Sequence, residues 1–117
     1  VRDDGGRVLF VRHTYGDRIS WELPGGGMHR REDPEAAVRR EMREELGIEL
    51  VDVRAEAEVE IARSYKRTLL HCFEATTGGA PLMLDHAELA EARWARADAP
   101  PRPLGPDAAA LLARVPG

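Results

Sequence analysis

With 117 residues, 43% apolar and 32% charged, the chain has room for one folded domain with a core of its own and not for two. No apolar run approaches the ~18 residues of a membrane-spanning helix, and the single cysteine, Cys72, excludes an internal disulfide, a thiolate zinc site and a dithiol redox centre. A net charge of −4 argues against a protein that grips long stretches of nucleic-acid backbone, but it allows a small anionic substrate if a cation mediates.

In chain order, "DDGG" at Asp3 to Gly6 reads as a hairpin turn, with only Val1 and Arg2 left of the strand before it, so a first strand cut short is expected. No leader-like pairing of a basic and an apolar segment follows, which makes the cytoplasm the default location. "RVLFVRH" suits a buried strand, and "ISWEL" a second one, ended by Pro24, which has no N–H for a ladder. A helix then carries clear punctuation: Asp33 as N-cap, Pro34 at its first position, Val38, Met42 and Leu46 on one stripe, and Gly47 as its stop. From Val51 to Ile61 apolar and charged residues alternate strictly, predicting a strand with one buried and one wet face. "RTLLHCFEA" is its expected antiparallel neighbour and "ARWARA" a last short strand; after a proline-rich loop, Asp107 is expected to cap a closing helix. Strands and helices mix without regular alternation, which predicts an α/β domain with helices on a mixed sheet.

The central helix also carries acids in an unusual arrangement. At ~100° per residue Glu41, Glu44 and Glu45 fall on one face, next to the arc of Val38, Met42 and Leu46. Helices carry charged faces more often for solvation than for chemistry. Here, however, Arg39 sits over Arg43 and Glu41 over Glu45, leaving Arg40 with Glu44 as the one opposite-charge pair, so the signs are segregated at a cost of a few tenths of a kcal/mol per like pair. Segregated carboxylates favour a cation, and hard oxygen donors favour Mg²⁺, with Mn²⁺ as a substitute. The preceding "GGGMHRRED" lacks the Gly-Lys-Ser/Thr of a phosphate loop and the glycine spacing of a dinucleotide fold. Its glycines instead suit close backbone approach to a metal or ligand.

Gly26, Glu32, then Arg40-Glu41-Met42-Arg43-Glu44-Glu45-Leu46-Gly47-Ile48 match the pattern G-x5-E-x7-R-E-U-x-E-E-x-G-U, U being a bulky apolar residue, at every position. The chain therefore resembles the Nudix hydrolases, and "WELPGG" and "EARWARADAP" resemble that family's usual surroundings. The resemblance implies an α/β/α sandwich around a mixed sheet, as a single domain over residues 1–117, and Mg²⁺-dependent hydrolysis of a nucleoside diphosphate linked to another moiety. It also implies that Glu41, Glu44 and Glu45 hold the metal with the carbonyl of Gly26, that Arg40 fixes a box glutamate, and that Glu32 supports the loop or the outer metal shell. The general base is then a box glutamate or an acid ahead of the last strand, Glu88 being preferred to Glu91. Gly25, Gly26 and Tyr65 are expected to touch substrate. Tyr65 stands where relatives acting on dinucleoside polyphosphates carry a tyrosine, although a lone aromatic near a strand end is more often packing. His13, His29, His71 and His86 show no ligand spacing; His29 has the best case for touching phosphate. The other readings are a non-catalytic nucleotide sensor of the same fold, against which the complete carboxylate set argues, and isoprenoid diphosphate isomerisation, against which the lack of a suitable cysteine argues. Homodimers are common in the family.

Overall fold

The computed structural model describes residues 1–62 and 66–114. Its elements are β1 (Val8–His13), α1 (Pro34–Leu46), β2 (Val51–Ala62), β3 (Arg67–Thr76), β4 (Leu89–Ala95) and α2 (Pro106–Leu112).

The apolar run "VLFV" in β1 has no wet face because the strand is covered on both sides. Alternation sends Leu9 and Val11 into one cluster with Met42 and Leu46 of α1, Ile48, Leu50, Ala75 and Leu89. It sends Val8 and Phe10 the other way, to Trp21, Leu104 and Leu112. A strand between two helical layers must be apolar throughout, and this places β1 in the middle of an α/β/α sandwich. β4 pairs antiparallel with β1, Val8 opposite Ala95 and Leu9 opposite Trp94. β3 pairs antiparallel with β2. Arg2 links the two pairs, bridging Val8 in antiparallel sense and Thr76 in parallel sense, so the sheet is mixed.

Three expectations need correction. "ISWEL" yields only isolated bridges, Trp21 to Leu104 and Glu22 to Val11, because Pro24 and the glycines beyond it stop the ladder. β2 has the expected span, but its pairing shifts between Val51 and Arg54 and again between Ala55 and Ala57, with Asp52 at φ 52°. Those irregularities break the period of two, and Val59 is the one buried residue along it. The N-cap of α2 is Gly105, not Asp107, which lies inside the first turn after Pro106. Pro106 is what sets the start: its fixed φ suits the first helical position and its missing N–H costs nothing there.

Candidate functional site

The site is built on α1, whose ends are both satisfied. Asp33 Oδ2 accepts from the backbone N–H groups of Glu35 and Ala36 at 3.1 and 3.2 Å. At the other end Gly47 turns left-handed at φ 63°, and the N–H groups of Gly47 and Ile48 return to the carbonyls of Arg43 and Met42. Met42 and Leu46, fully buried, fix the rotation of the helix, and that rotation puts Glu41 against the glycine loop.

Arg40 organises the first half of the cluster. Its guanidinium has five N–H donors and each finds an acceptor. Nε and Nη2 fork onto Glu32 at 2.8 and 2.9 Å, Nη1 reaches Glu41 at 2.9 Å and Glu44 at 3.2 Å, and Nη2 also reaches the carbonyl of Gly27 at 3.0 Å. Glu32 in turn accepts from the N–H of His29 at 2.9 Å. The Arg40 hydrogen bonds, then that of His29, hold the Glu32 carboxyl down at about 2, and Glu32 first, then Glu41, pushes the Arg40 guanidinium up. Arg40 thus ties Glu32 and the carbonyl of Gly27 on the loop to Glu41 and Glu44 on the helix. Helix pairing is richer than the sequence suggested: Glu35 also pairs with Arg39 at 3.2 Å.

The glycine loop meets the helix at Gly26. A Cβ at that position would lie 2.7 Å from the carboxyl carbon and Oε2 of Glu41, so only glycine fits. Gly25, at φ 151°, makes the turn that leads into it. A cavity of about 590 Å³ opens from Gly25–Gly27 toward β3, bounded by Ala37 of α1 and Ala108 of α2. It adjoins the loop and runs through the sheet layer, away from Glu44, Glu45 and Glu88, which do not line it.

Glu45 is the unusual acid. It is 5% exposed, and its Oε2 has no hydrogen-bond partner. Burial first, then the charge and hydrogen bond of Glu41, then Glu88 and Glu44, push its pKa up to about 8. Four carboxyl groups therefore crowd one another, with Arg40 engaging only Glu41 and Glu44. Among the described residues no three His, Cys, Asp or Glu side chains are already disposed around a common centre to hold a metal ion. Arg40 draws two of them to itself, and Glu45 leans on Glu41.

The loop before β4 sets Glu88 and Glu91 in different surroundings. Its backbone caps the free carbonyls at the end of α1: Met83 N–H donates to Leu46 O and Asp85 N–H to Glu45 O, both at 2.8 Å. The carbonyl of Asp85 then accepts from the N–H groups of Glu88 and Leu89 at 3.0 and 2.8 Å, and the charge of Glu88 bears on Glu45. Glu91 faces elsewhere, paired with Arg12 at 3.1 Å and Arg93 at 3.4 Å. Tyr65 lies outside the described residues. Of the histidines, His13 pairs with Glu22 at 3.3 Å and His71 with Glu58 at 3.4 Å. The sequence reading missed Thr14 and Tyr15. Thr14 ties to the Glu88 loop, and the ring of Tyr15 stacks on His13; nothing in their spacing marks them.

A model of the NUDIX domain matches residues 1–115. The chain is similar to an RNA pyrophosphohydrolase of Pseudomonas paraeruginosa, 42% identical over 54 residues, which are 46% of this chain and 33% of that one. The chain thus matches about a third of the length of the curated relatives. Among solved structures, a MutT NUDIX hydrolase from Burkholderia pseudomallei superposes with a TM-score of 0.86 at 26% identity, over 99% of this chain and 92% of that one. The NUDIX domain of Shewanella oneidensis NrtR, complexed with ADP ribose, does so with a TM-score of 0.76 at 21% identity, over 92% and 74%; at that identity it speaks for the fold alone. With an unbroken box, the three-layer architecture and a family model spanning almost every residue, the chain belongs to the Nudix family.

Proposed function

We propose that this protein hydrolyses a pyrophosphate bond in a nucleoside diphosphate linked to another moiety, using a divalent cation held by Glu41, Glu44 and Glu45. The observation that carries this reading is the orphaned, buried Oε2 of Glu45 within a group of four acids. A buried polar atom without a partner is costly, and carboxylates so crowded that one retains its proton near neutral pH are a set that a cation would complete. All the donors are hard oxygens, which suits Mg²⁺ and allows Mn²⁺. The carbonyl of Gly26, brought against Glu41 by the absence of a side chain, is a further candidate ligand.

When bound, the cation supplies charge neutralisation on the diphosphate and lowers the pKa of water. The chain's own residues do the rest. Arg40 and Glu32 fix the glycine loop against α1, which keeps the box glutamates in register. Glu88, on the loop capping α1, is the proposed base that removes a proton from the attacking water. Gly25 and Gly26 are the proposed contacts to the substrate's phosphates, and Tyr65 is the proposed contact to its nucleoside. The name of the curated relatives suggests one candidate for the moiety beyond the diphosphate, an RNA. The net charge of −4 disfavours an extended RNA contact, which keeps a small nucleotide in front.

The test is release of phosphate or nucleotide from a panel of nucleoside triphosphates, dinucleoside polyphosphates, nucleotide sugars and 5′-triphosphorylated RNA, with Mg²⁺ and with chelator. Turnover that requires the cation and is lost in Glu44→Gln is expected. If no compound is cleaved while Glu44→Gln binds them as well as the parent does, a nucleotide-binding module replaces the hydrolase.

A further inference from the structure

The end of β1 is shaped toward the proposed base. Arg12 stands opposite Glu91 but His13 stands opposite Leu89, so β4 carries one more residue than β1 across this step. A bulge of this kind bends the pair and re-aims the side chains beyond it. The chain leaving β1 is then tied to the Glu88 loop twice. Thr14 N–H donates to the carbonyl of Glu88 at 3.0 Å, and Thr14 Oγ1 donates to that of Ala87 at 2.7 Å.

These bonds put the next residue, Tyr15, alongside Glu88. Its ring packs on His13, centroids 5.3 Å apart and planes at 58°, and His13 is anchored by Nδ1 3.3 Å from Glu22 Oε2. The ring is 56% exposed, so it is not there to fill the core. The charges that bear on its phenol are those of Glu88, Glu45 and Glu41, in that order. Partial burial first, then Glu88 as neighbouring charge and hydrogen-bond acceptor, raises the phenol pKa. At neutral pH it is a donor set before a group that, once ionised, only accepts.

We propose that Tyr15 is a positioning residue for Glu88: its phenol donates to the carboxylate and holds it over the acid cluster, while His13 fixes the ring. The phenol keeps its proton throughout, and the proton removed from water goes to Glu88. This inference rests on the reading of Glu88 as the base.

The test is a double-mutant cycle in steady-state hydrolysis of whichever panel nucleotide the parent cleaves fastest. Tyr15→Phe removes one hydroxyl at an exposed ring and should leave the thermal midpoint unchanged. Loss of a hydrogen bond to a charged group should lower kcat about 10-fold, with KM moving by less than about 2-fold. Glu88→Gln should lose more, and adding Tyr15→Phe to it should cost nothing further. An unchanged kcat in Tyr15→Phe, a loss confined to KM, or the same fold loss with and without Glu88 each overturns the proposal. A parent without turnover overturns the hydrolase reading and this inference together; a parent that turns over beside an unimpaired Tyr15→Phe overturns this inference alone.

Discussion

β1 and α1 on one side, and the β2–β3 ladder on the other, are built to different standards. In the first, Leu9, Phe10, Val11, Met42 and Leu46 are completely buried. In the second, Val59 is the one buried residue of β2 and still 7% exposed, Leu69 of β3 is 50% exposed, and the cavity of about 590 Å³ runs along β3. Arg2 bridges the two by backbone pairing, and its side chain pairs with Glu74 at 2.8 Å. The acids that crowd one another stand on the well-packed side. Placing like charges together raises the energy of a site, and only closely packed surroundings hold them there. The second region can open more readily, since few buried apolar contacts resist it.

Removing a charge from the packed side should have the largest effect on function. Glu44→Gln, at an exposed carboxylate that Arg40 reaches at 3.2 Å, should lower kcat by about 10²–10³-fold with little change in thermal midpoint. A deficit seen only in KM would place Glu44 in uniform binding instead. Removing packing should affect stability with equal asymmetry. Leu46→Ala should cost about 2–5 kcal/mol by denaturant unfolding, whereas Leu69→Ala should stay within about 0.5 kcal/mol. Equal costs would mean that the two regions are packed alike.

The contact between loop and helix is tested by Gly26→Ala. The added methyl would lie 2.7 Å from the Glu41 carboxylate, so that side chain or the loop must move. Displacements of about 1 Å can cost up to about 10²-fold in rate. Activity should fall while the unfolding free energy changes by less than for Leu46→Ala; full activity would show that the loop does not align the site.

The smallest effect is on the pH dependence of the metal-free protein. Burial and the neighbouring acids push the folded pKa of Glu45 up to about 8 from its ordinary 4.5. Between those values the folded protein therefore keeps a proton that the unfolded chain has lost. Stability should fall as pH rises through that window and level off above it. Glu32 acts in the opposite sense and elsewhere: its carboxyl, depressed to about 2, contributes stability that is lost as pH falls below about 4.5. Glu45→Gln should flatten the first slope and leave the second. Thermal midpoints from pH 5 to 9 measure it, and an unchanged slope in Glu45→Gln would assign the effect to another group.

Periodicity and punctuation made α1 legible from end to end, because caps, stripe and acids all lie within one continuous stretch. The same reasoning overstated β2, since alternation in sequence does not reveal the bulges that rotate residues off their faces. It misplaced the cap of α2, where Pro106 overrules Asp107 as the starting signal. Glu41, Glu44, Glu45 and Arg40 were visible as a group because a helix brings residues three and four apart together. Tyr15 was not, because its neighbour Thr14 is tied to the Glu88 loop only after a bulge and through a pair of long-range hydrogen bonds that leave no local pattern.

The claim on which the rest depends is that the acids of α1 gather a divalent cation. Calorimetric titration of Mn²⁺ into the parent and into Glu45→Gln at pH 7.5 tests it without reference to any substrate. Saturable binding by the parent, weakened about 10-fold or more in Glu45→Gln, is the predicted result. Equal binding by both, or none by the parent, would contradict it.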